Sequence, residues 1–269
     1  VGLVLAQTGA ATQALCRNPL ADPSIIGISA GAAMVAVAFI ALSAQFNFNA
    51  QHYLPYASFL GALSVTSLVY LVSKQQKQIN INTLILVGVA INALAFAVIG
   101  LLSFYADDSA LRLINYWTMG SLGGASWDNI KQASPLLLLS LIGLWRLKEP
   151  MNLLLIGESQ AQYLGVDTSK LKLYVIILVA LGVGAVVALT GLIGFVGLVV
   201  PHIARLMVGP HLRNMLPLCM LLGLIVLLLS DWLARLVVMP AELPIGIITA
   251  LLGAPLFIYL IIKNKRDWS

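Results

Sequence analysis

Runs of about 18 to 23 apolar residues, joined by short polar or basic connections, fix what this chain can become. An α-helix rising ~1.5 Å per residue needs ~20 residues to cross ~30 Å of hydrocarbon, so each run has the length of one crossing. Composition agrees, because a chain that is 60% hydrophobic and 9% charged, with mean hydropathy +0.98, has lipid as its solvent. The runs fall at 24–43, 53–73, 81–103, 129–147, 171–190, 191–209, 216–235 and 245–262, after a partial run at 1–16. This predicts an all-α, polytopic membrane helix bundle forming one transmembrane domain over residues 1–269. The partial run is too short to cross and opens without Met, so the chain is expected to be N-terminally truncated. A signal peptide fits poorly, with no basic region before Val1 and no small-residue cleavage site ahead of a soluble domain.

Alternating the connections across a bilayer puts Arg17, Lys74, Lys77, Arg146, Lys148, Lys170, Lys172, Arg205, Arg213, Lys263, Lys265 and Arg266 on one side. Arg112, Lys131 and Arg235 fall on the other. The excess of basic residues marks the first side as cytoplasmic and places the C-terminus there. The expected location is therefore a membrane crossed many times, with the C-terminus on its cytoplasmic side. The pI near 9.3 reflects this bias. Nucleic-acid binding does not explain it, since the charges are spread over many short connections instead of one patch.

Cys16 and Cys219 lie in or beside apolar runs, without CxxC spacing or nearby His, and read as small apolar filler instead of a metal site or disulfide. No GxxxxGK[ST], HExxH or GxSxG occurs. The chain carries no recognisable catalytic machinery, and no catalytic residue or cofactor is expected in it.

Two places read as helices broken inside the membrane. Asp22-Pro23 offers an N-cap followed by Pro at the first helical position, with the helix running from Ser24 onward. Gly191, Gly194 and Gly197 lead to Val200-Pro201-His202, which predicts an extended 191–199 and a helix only from Pro201 to Val208; a full helix over 191–209 is the competing reading. Backbone that leaves the helix at membrane depth needs protein or a water-filled cavity around it, and paired interruptions commonly border a transport pathway. A Pro/Gly kink that helps packing, like the small residues Gly27 and Gly31, is the plainer alternative.

The segment LIGESQAQYLGV at 155–166 is a short polar, helix-compatible island between two apolar runs, on the side of the positive charges. In so apolar a chain it predicts a soluble partner.

Five blocks in order resemble one family: RNPLADPSIIGISAGA at 17–32, YWTMGSL at 116–122, LIGESQAQYLGV at 155–166, TGLIGFVGLVVPHIARLMVGP at 190–210 and AELPIGIITALLGAPLFIYLI at 241–261. The chain resembles, over nearly its whole length, the FecCD-like permease subunits of ABC importers for iron-siderophores, haem and vitamin B12. That resemblance implies the ABC importer type II permease fold of about ten helices, the first one missing here. It also implies three kinds of protein partner besides membrane lipid: an ABC ATPase subunit, a periplasmic or lipoprotein substrate-binding protein, and a second permease copy or paralogue. ATP and Mg would belong to the ATPase.

The same resemblance assigns 155–165 to a cytoplasmic coupling helix seated in a cleft of the ATPase. Gly157, Ser159, Ala161 and Gly165 would allow close approach, Glu158, Gln160 and Gln162 would give polar contacts, and Leu155 and Leu164 belong to the same segment, Leu164 as an apolar plug. A solvated loop helix is the alternative. The turn QININT at 78–83 lies where the family has its inner gate, with Asn80, Ile81 and Asn82 as gate candidates and Ile81 able to form a dewetting constriction. The vitamin B12 branch has small hydroxyl residues there, and an ordinary Asn-rich turn is equally compatible.

Asp231 and Arg235 stand i and i+4 near the outer end of one helix, so they can pair. The family's counterpart of Arg235 docks the binding protein; a purely structural pair is the other reading. Glu242 is expected to cap the following helix. The outer segment 105–128, with Trp117, Met119 and Trp127, is expected to fold onto the mouth of the pathway, its aromatics serving as an interfacial belt in preference to touching cargo.

No charged residue is expected deep in a span, and His52, His202 and His211 lie near connections or breaks. That weakens an ion-coupled secondary transporter, which needs an intramembrane ionisable group, while a scaffold would not need broken helices. The expectation is an ATP-driven importer permease for a metal chelate, ferric siderophore first, then haem, cobalamin or an oxyanion such as molybdate.

Overall fold

In the computed structural model, residues 1–46, 53–75, 78–239 and 241–263 are described; His52, Lys77, Lys265 and Arg266, invoked above, lie outside them. The elements run α1 Gly2–Cys16, a 3-10 turn Pro23–Ile26, α2 Ile28–Phe46, α3 Leu54–Ser73, the strands β1 Lys74–Gln75 and β2 Gln78–Ile79, α4 Ile81–Tyr105 and α5 Asp108–Met119. They continue with α6 Trp127–Arg146, α7 Lys148–Ile156, α8 Glu158–Tyr163, α9 Thr168–Thr190, α10 Val196–Val208, α11 Leu212–Leu236 and α12 Ile245–Lys263. The helix starts follow local chemistry: Asn80, Asp107, Ser126 and Asp167 each accept a backbone N–H of the first turn of α4, α5, α6 and α9.

Each of the nine expected runs contains a helix, though 24–43 and 191–209 are helical only in part, so the all-α bundle stands. By length and apolarity alone, α3, α4, α9 and α11 can each cross a membrane among the described residues. The others are shorter or, like α6 with its polar first turns, less apolar.

Helices in lipid gain little from leaving water, so close packing and satisfied polar groups hold them together. In this bundle α1 is the centre, buried from Val4 to Leu15 and packed on α6, α7, α9, α10 and α11. A methyl added at Gly2 would strike the backbone of Gly223 on α11, and one at Gly9 the backbone of Gly197 on α10. Gly31 of α2 meets Gly61 and Val65 of α3 in the same manner, so the expected packing role of Gly31 holds. The hydroxyls of Thr8, Thr12, Thr66, Ser73 and Thr190 donate to the carbonyl four residues earlier, which removes the cost of a bare polar atom in lipid. Gln7 and Gln13 reach instead to the carbonyls of Leu141 and Leu198 on neighbouring helices.

The bundle has two distinct ends. At one gather the β1–β2 hairpin, α7, α8, the start of α9 and the α10–α11 turn, tied by Asn152 Oδ1 accepting from the Leu212 amide at 2.8 Å. At the other, the Ser121 amide donates to Thr190 O at 2.7 Å and the Ile245 amide to Gly120 O at 3.0 Å, joining the end of α5 to α9 and α12. Lys74, Lys148, Lys170 and Arg213 fall at the first end, Arg112, Lys131 and Arg235 toward the second.

Candidate functional site

Three places combine the chemistry singled out in the sequence. The first lies where the two breaks meet. Asp22 is extended and accepts the Ser24 amide at 2.8 Å, as an N-cap with Pro23 in the first turn should. The helix it starts is only the 3-10 turn Pro23–Ile26, because Gly27 adopts φ +85°, and α2 begins at Ile28 instead of Ser24. Gly27 thus makes the break, a role the sequence reading gave only to packing.

The second break covers 191–195 and ends earlier than expected, since α10 starts at Val196 and not at Pro201. Phe195 supplies the reason. Its carbonyl accepts from the amides of Leu198 and Val199, which nucleates a first turn before Pro201 is reached. Phe195 holds φ +68°, an unfavourable region for a residue with a side chain, and its ring lies over Gly253 of α12.

Between the breaks opens a cavity of about 350 Å³ lined by Asp22, Ser24, Ser29, Asn92, Phe96 and Phe195, among others. Asn92 of α4 donates to Ser24 O at 2.9 Å, leaving its buried Oδ1 without a partner. The sequence reading missed Asn92, although an amide in the middle of an apolar helix of 25 residues was a usable signal. Titratable groups are nevertheless buried in the bundle. Lys172 lies 2% exposed in the first turns of α9, and His202 is buried in α10, with both ring nitrogens unpartnered and its ring 6.0 Å from that of Phe257. Arg205 of α10 points inward to donate to Gln13 Oε1 at 3.2 Å. Broken helices carry connection residues into the interior, and counting connections from sequence places them outside.

The second place is the polar island. It is not one helix: Gly157, at φ +142°, separates α7 from α8, and Gly165, at φ +85°, ends the turn after α8. Leu155 therefore belongs to α7 and packs on the core, and Ala161 is buried. Glu158 does not wait for a partner, since it forms an ion pair with Lys172 at 2.6 Å. Gln162 donates to Thr168 Oγ1 at 2.9 Å. Ser159, Gln160, Leu164 and Gly165 face outward. The sequence reading overlooked the most exposed members, Tyr163 at 91% and Ile156 at 66%, which with Leu164 make an apolar knob. Beside it a groove of about 440 Å³ runs between α7 and the α10–α11 turn, lined by Glu149, Asn152, Leu153, Ile156 and His211.

Next to this elbow lies the turn before α4. Asn80 caps α4 by accepting the Thr83 amide at 3.2 Å, and its own amide donates to Ser73 O. Asn80 and Asn82 are exposed and Ile81 half-buried, so the three stand together at the surface of this end.

The third place is the far end of α11. Arg235 donates to both carboxylate oxygens of Asp231, at 3.0 and 3.3 Å, and to Glu242 Oε1 at 2.9 Å. The expected i, i+4 pair is present. Glu242 does not cap α12; it completes the triad, because the chain turns back after Leu236 and the Leu243 amide donates to Ala234 O. Close by, the end of α5 packs on the second break, with methyls at Gly120 and Gly191 excluded by the carbonyls of Leu192 and Trp117. The three large side chains singled out in the outer segment do not converge: Trp117 packs on the core, while Met119 and, at the start of α6, Trp127 face outward.

The chain matches the FecCD transport family over residues 1–263. It is 41% identical over 271 residues to the hemin transport system permease protein HmuU of Yersinia pestis, covering 100% of this chain and 80% of the relative. With the vitamin B12 import system permease protein BtuC of Vibrio cholerae it shares 39% identity over 274 residues, 98% of this chain and 78% of the relative. A solved structure described as an inward-facing conformation of a metal-chelate type ABC transporter superposes with a TM-score of 0.90 at 36% identity, covering 97% of this chain and 82% of that one.

Proposed function

We propose, on the premise that this chain belongs to the FecCD transport family, that it forms part of the translocation pathway of an ATP-driven importer for a tetrapyrrole metal chelate, haem or cobalamin. The relatives named above are transport permeases and not enzymes, and their printed cargoes support this class over the ferric siderophore expected first. The observation that carries the drive mechanism is the exposed apolar knob of Ile156, Tyr163 and Leu164 on the end that holds most of the positive charge. An apolar patch in water marks a protein contact, and a separate ATPase carrying ATP and Mg is the partner that fits it.

In this reading the basic end is cytoplasmic, the C-terminus lies inside, and the elbow formed by Gly157 passes nucleotide-driven motion to the pathway. Asn80, Ile81 and Asn82 close the inner end. Arg235 meets an acidic residue of the substrate-binding protein with the guanidinium hydrogens that Asp231 and Glu242 leave free. A second permease copy or paralogue completes the pathway. Asp22 and His202 would give an ion-coupled carrier its ionisable groups, but family membership favours ATP.

Proteoliposomes holding the permease, its ATPase and its binding protein test this directly. Hemin or cyanocobalamin should accumulate only with ATP, and ferrichrome should not compete. Accumulation driven by an ion gradient without ATP would overturn the reading.

A further inference from the structure

Lys172 presents an ammonium group inside the bundle, 2% exposed, whose two recorded partners belong to different elements. Its Nζ donates to Glu158 Oε2 of α8 at 2.6 Å and to the carbonyl oxygen of Ile79 of β2 at 3.0 Å. Glu158 stands at the elbow beside Gly157, at the start of the helix that carries Tyr163. Ile79 is itself buried and directly precedes Asn80, the cap of α4. One nitrogen atom therefore joins the docking elbow to the turn that bears the gate candidates.

We infer that Lys172 is a positioning residue that couples the elbow to the inner gate, transmitting displacement of α8 through Nζ to Ile79 and so to the start of α4. The inference rests on the reading of α8 as the ATPase-docking element. Its physical basis is the cost of a buried, unpaired charge. If α8 is pushed while Glu158 keeps its hold, the ammonium must follow the carboxylate and either draw the Ile79 carbonyl with it or release it. A surface lysine would let water replace the lost acceptor; at 2% exposure little water reaches it. The movement has a continuation, since α4 holds Asn92, which donates to Ser24 O at the first break. The side chain at 172 thus connects nucleotide state to both the gate turn and the cavity between the breaks. No substrate contact is required of it.

The test avoids any assumption about cargo. In a background with Cys16→Ser and Cys219→Ala, Asn82→Cys gives a single reporter, labelled by a membrane-impermeant maleimide in the complete complex in nanodiscs. Without further change, ATP plus vanadate should alter the labelling rate by about fivefold or more, the range of an ordinary coupling free energy. Lys172→Met should keep the ATPase bound and hydrolysing, yet reduce that change to less than about twofold, below the roughly fivefold lower edge of such coupling. Lys172→Arg should restore it, whereas the exchange Glu158→Lys with Lys172→Glu should not, because a carboxylate at 172 cannot donate to Ile79 O. If Lys172→Met fails to assemble, Glu158→Gln tests the same link from the exposed side and should also blunt the response. An undiminished nucleotide response in Lys172→Met or Glu158→Gln overturns the inference, as does failure of Lys172→Arg to rescue or full rescue by the charge exchange. Loss of the ATPase from the unsubstituted chain, or its retention after Leu164→Glu, would instead defeat the docking reading.

Discussion

At the basic end Lys172 is 2% exposed and pairs with a single carboxylate, whereas at the opposite end Arg235, with 44% of its side chain exposed, sits between two. The Lys172 ammonium has little water to relax into, although the Glu158 side chain is 32% exposed, so leaving the ammonium unpaired is costly and the contact behaves as a stiff joint. The outer triad is screened by solvent and each of its contacts is weak. Asp231, Arg235 and Glu242 also sum to one net negative charge, so the cation on show is already more than balanced. Stiffness suits transmission of a displacement, and a screened, rearrangeable cluster suits a partner that must bind and leave.

The comparison breaks most visibly if the inner end tolerates charge. Leu164→Glu puts a carboxylate on the exposed knob, and Gly157→Glu adds a side chain where φ is +142°. Each should cost about 2 kcal/mol or more of association, the loss typical of an interface hot spot. ATPase recovered by co-purification should fall by about tenfold or more and uptake with it. Normal uptake in both variants would remove the elbow from the mechanism.

A smaller effect is expected outside. Arg235→Ala should weaken binding-protein association a few-fold at low salt, the difference vanishing at high salt, because rim charges act mainly through screened attraction. Binding kinetics at two ionic strengths measure it, and thermal stability should not change. An unaltered association rate would make the triad purely structural.

The smallest effect sharpens the contrast within the inner end. Asp167 caps α9 by accepting the Lys170 amide at 3.0 Å, and that hydrogen bond holds its carboxyl below the usual carboxylate range. A lowered folded-state pKa means that the cap contributes fully above the ordinary value of about 3.9 and is lost as pH falls through the lower folded value. Hydrogen exchange at the Lys170 amide should therefore stay protected down to mildly acidic pH and rise only in stronger acid. Asp167→Asn, which caps without charge, should remove the pH dependence and leave the protection.

The helices were legible because apolar length is a local property, and so were the caps at Asp22 and the breaks around it. The start of α10 was not, because it is set by Phe195 O and by Gln13 reaching Leu198 O from α1, contacts that Pro201 and the glycines do not announce. The Glu158–Lys172 pair was hidden for a related reason. Lys172 follows Lys170 in a basic connection and looks like one more interfacial cation, while the turn of α9 sends Lys170 outward and Lys172 inward. Glu242 illustrates the same limit at the other end, its partner chosen by a chain reversal and not by its own helix.

The placement of α1 at the centre has a consequence for how the protein is made. Gln7 finds its acceptor on Leu141 and Gln13 on Leu198, residues synthesised 134 and 185 positions later. Two amides thus enter the bilayer long before their permanent acceptors exist. The insertion machinery must shelter this helix, or its own carbonyls must occupy those amides, until α6 and α10 arrive, so assembly ends with a rearrangement around a segment made before both of them.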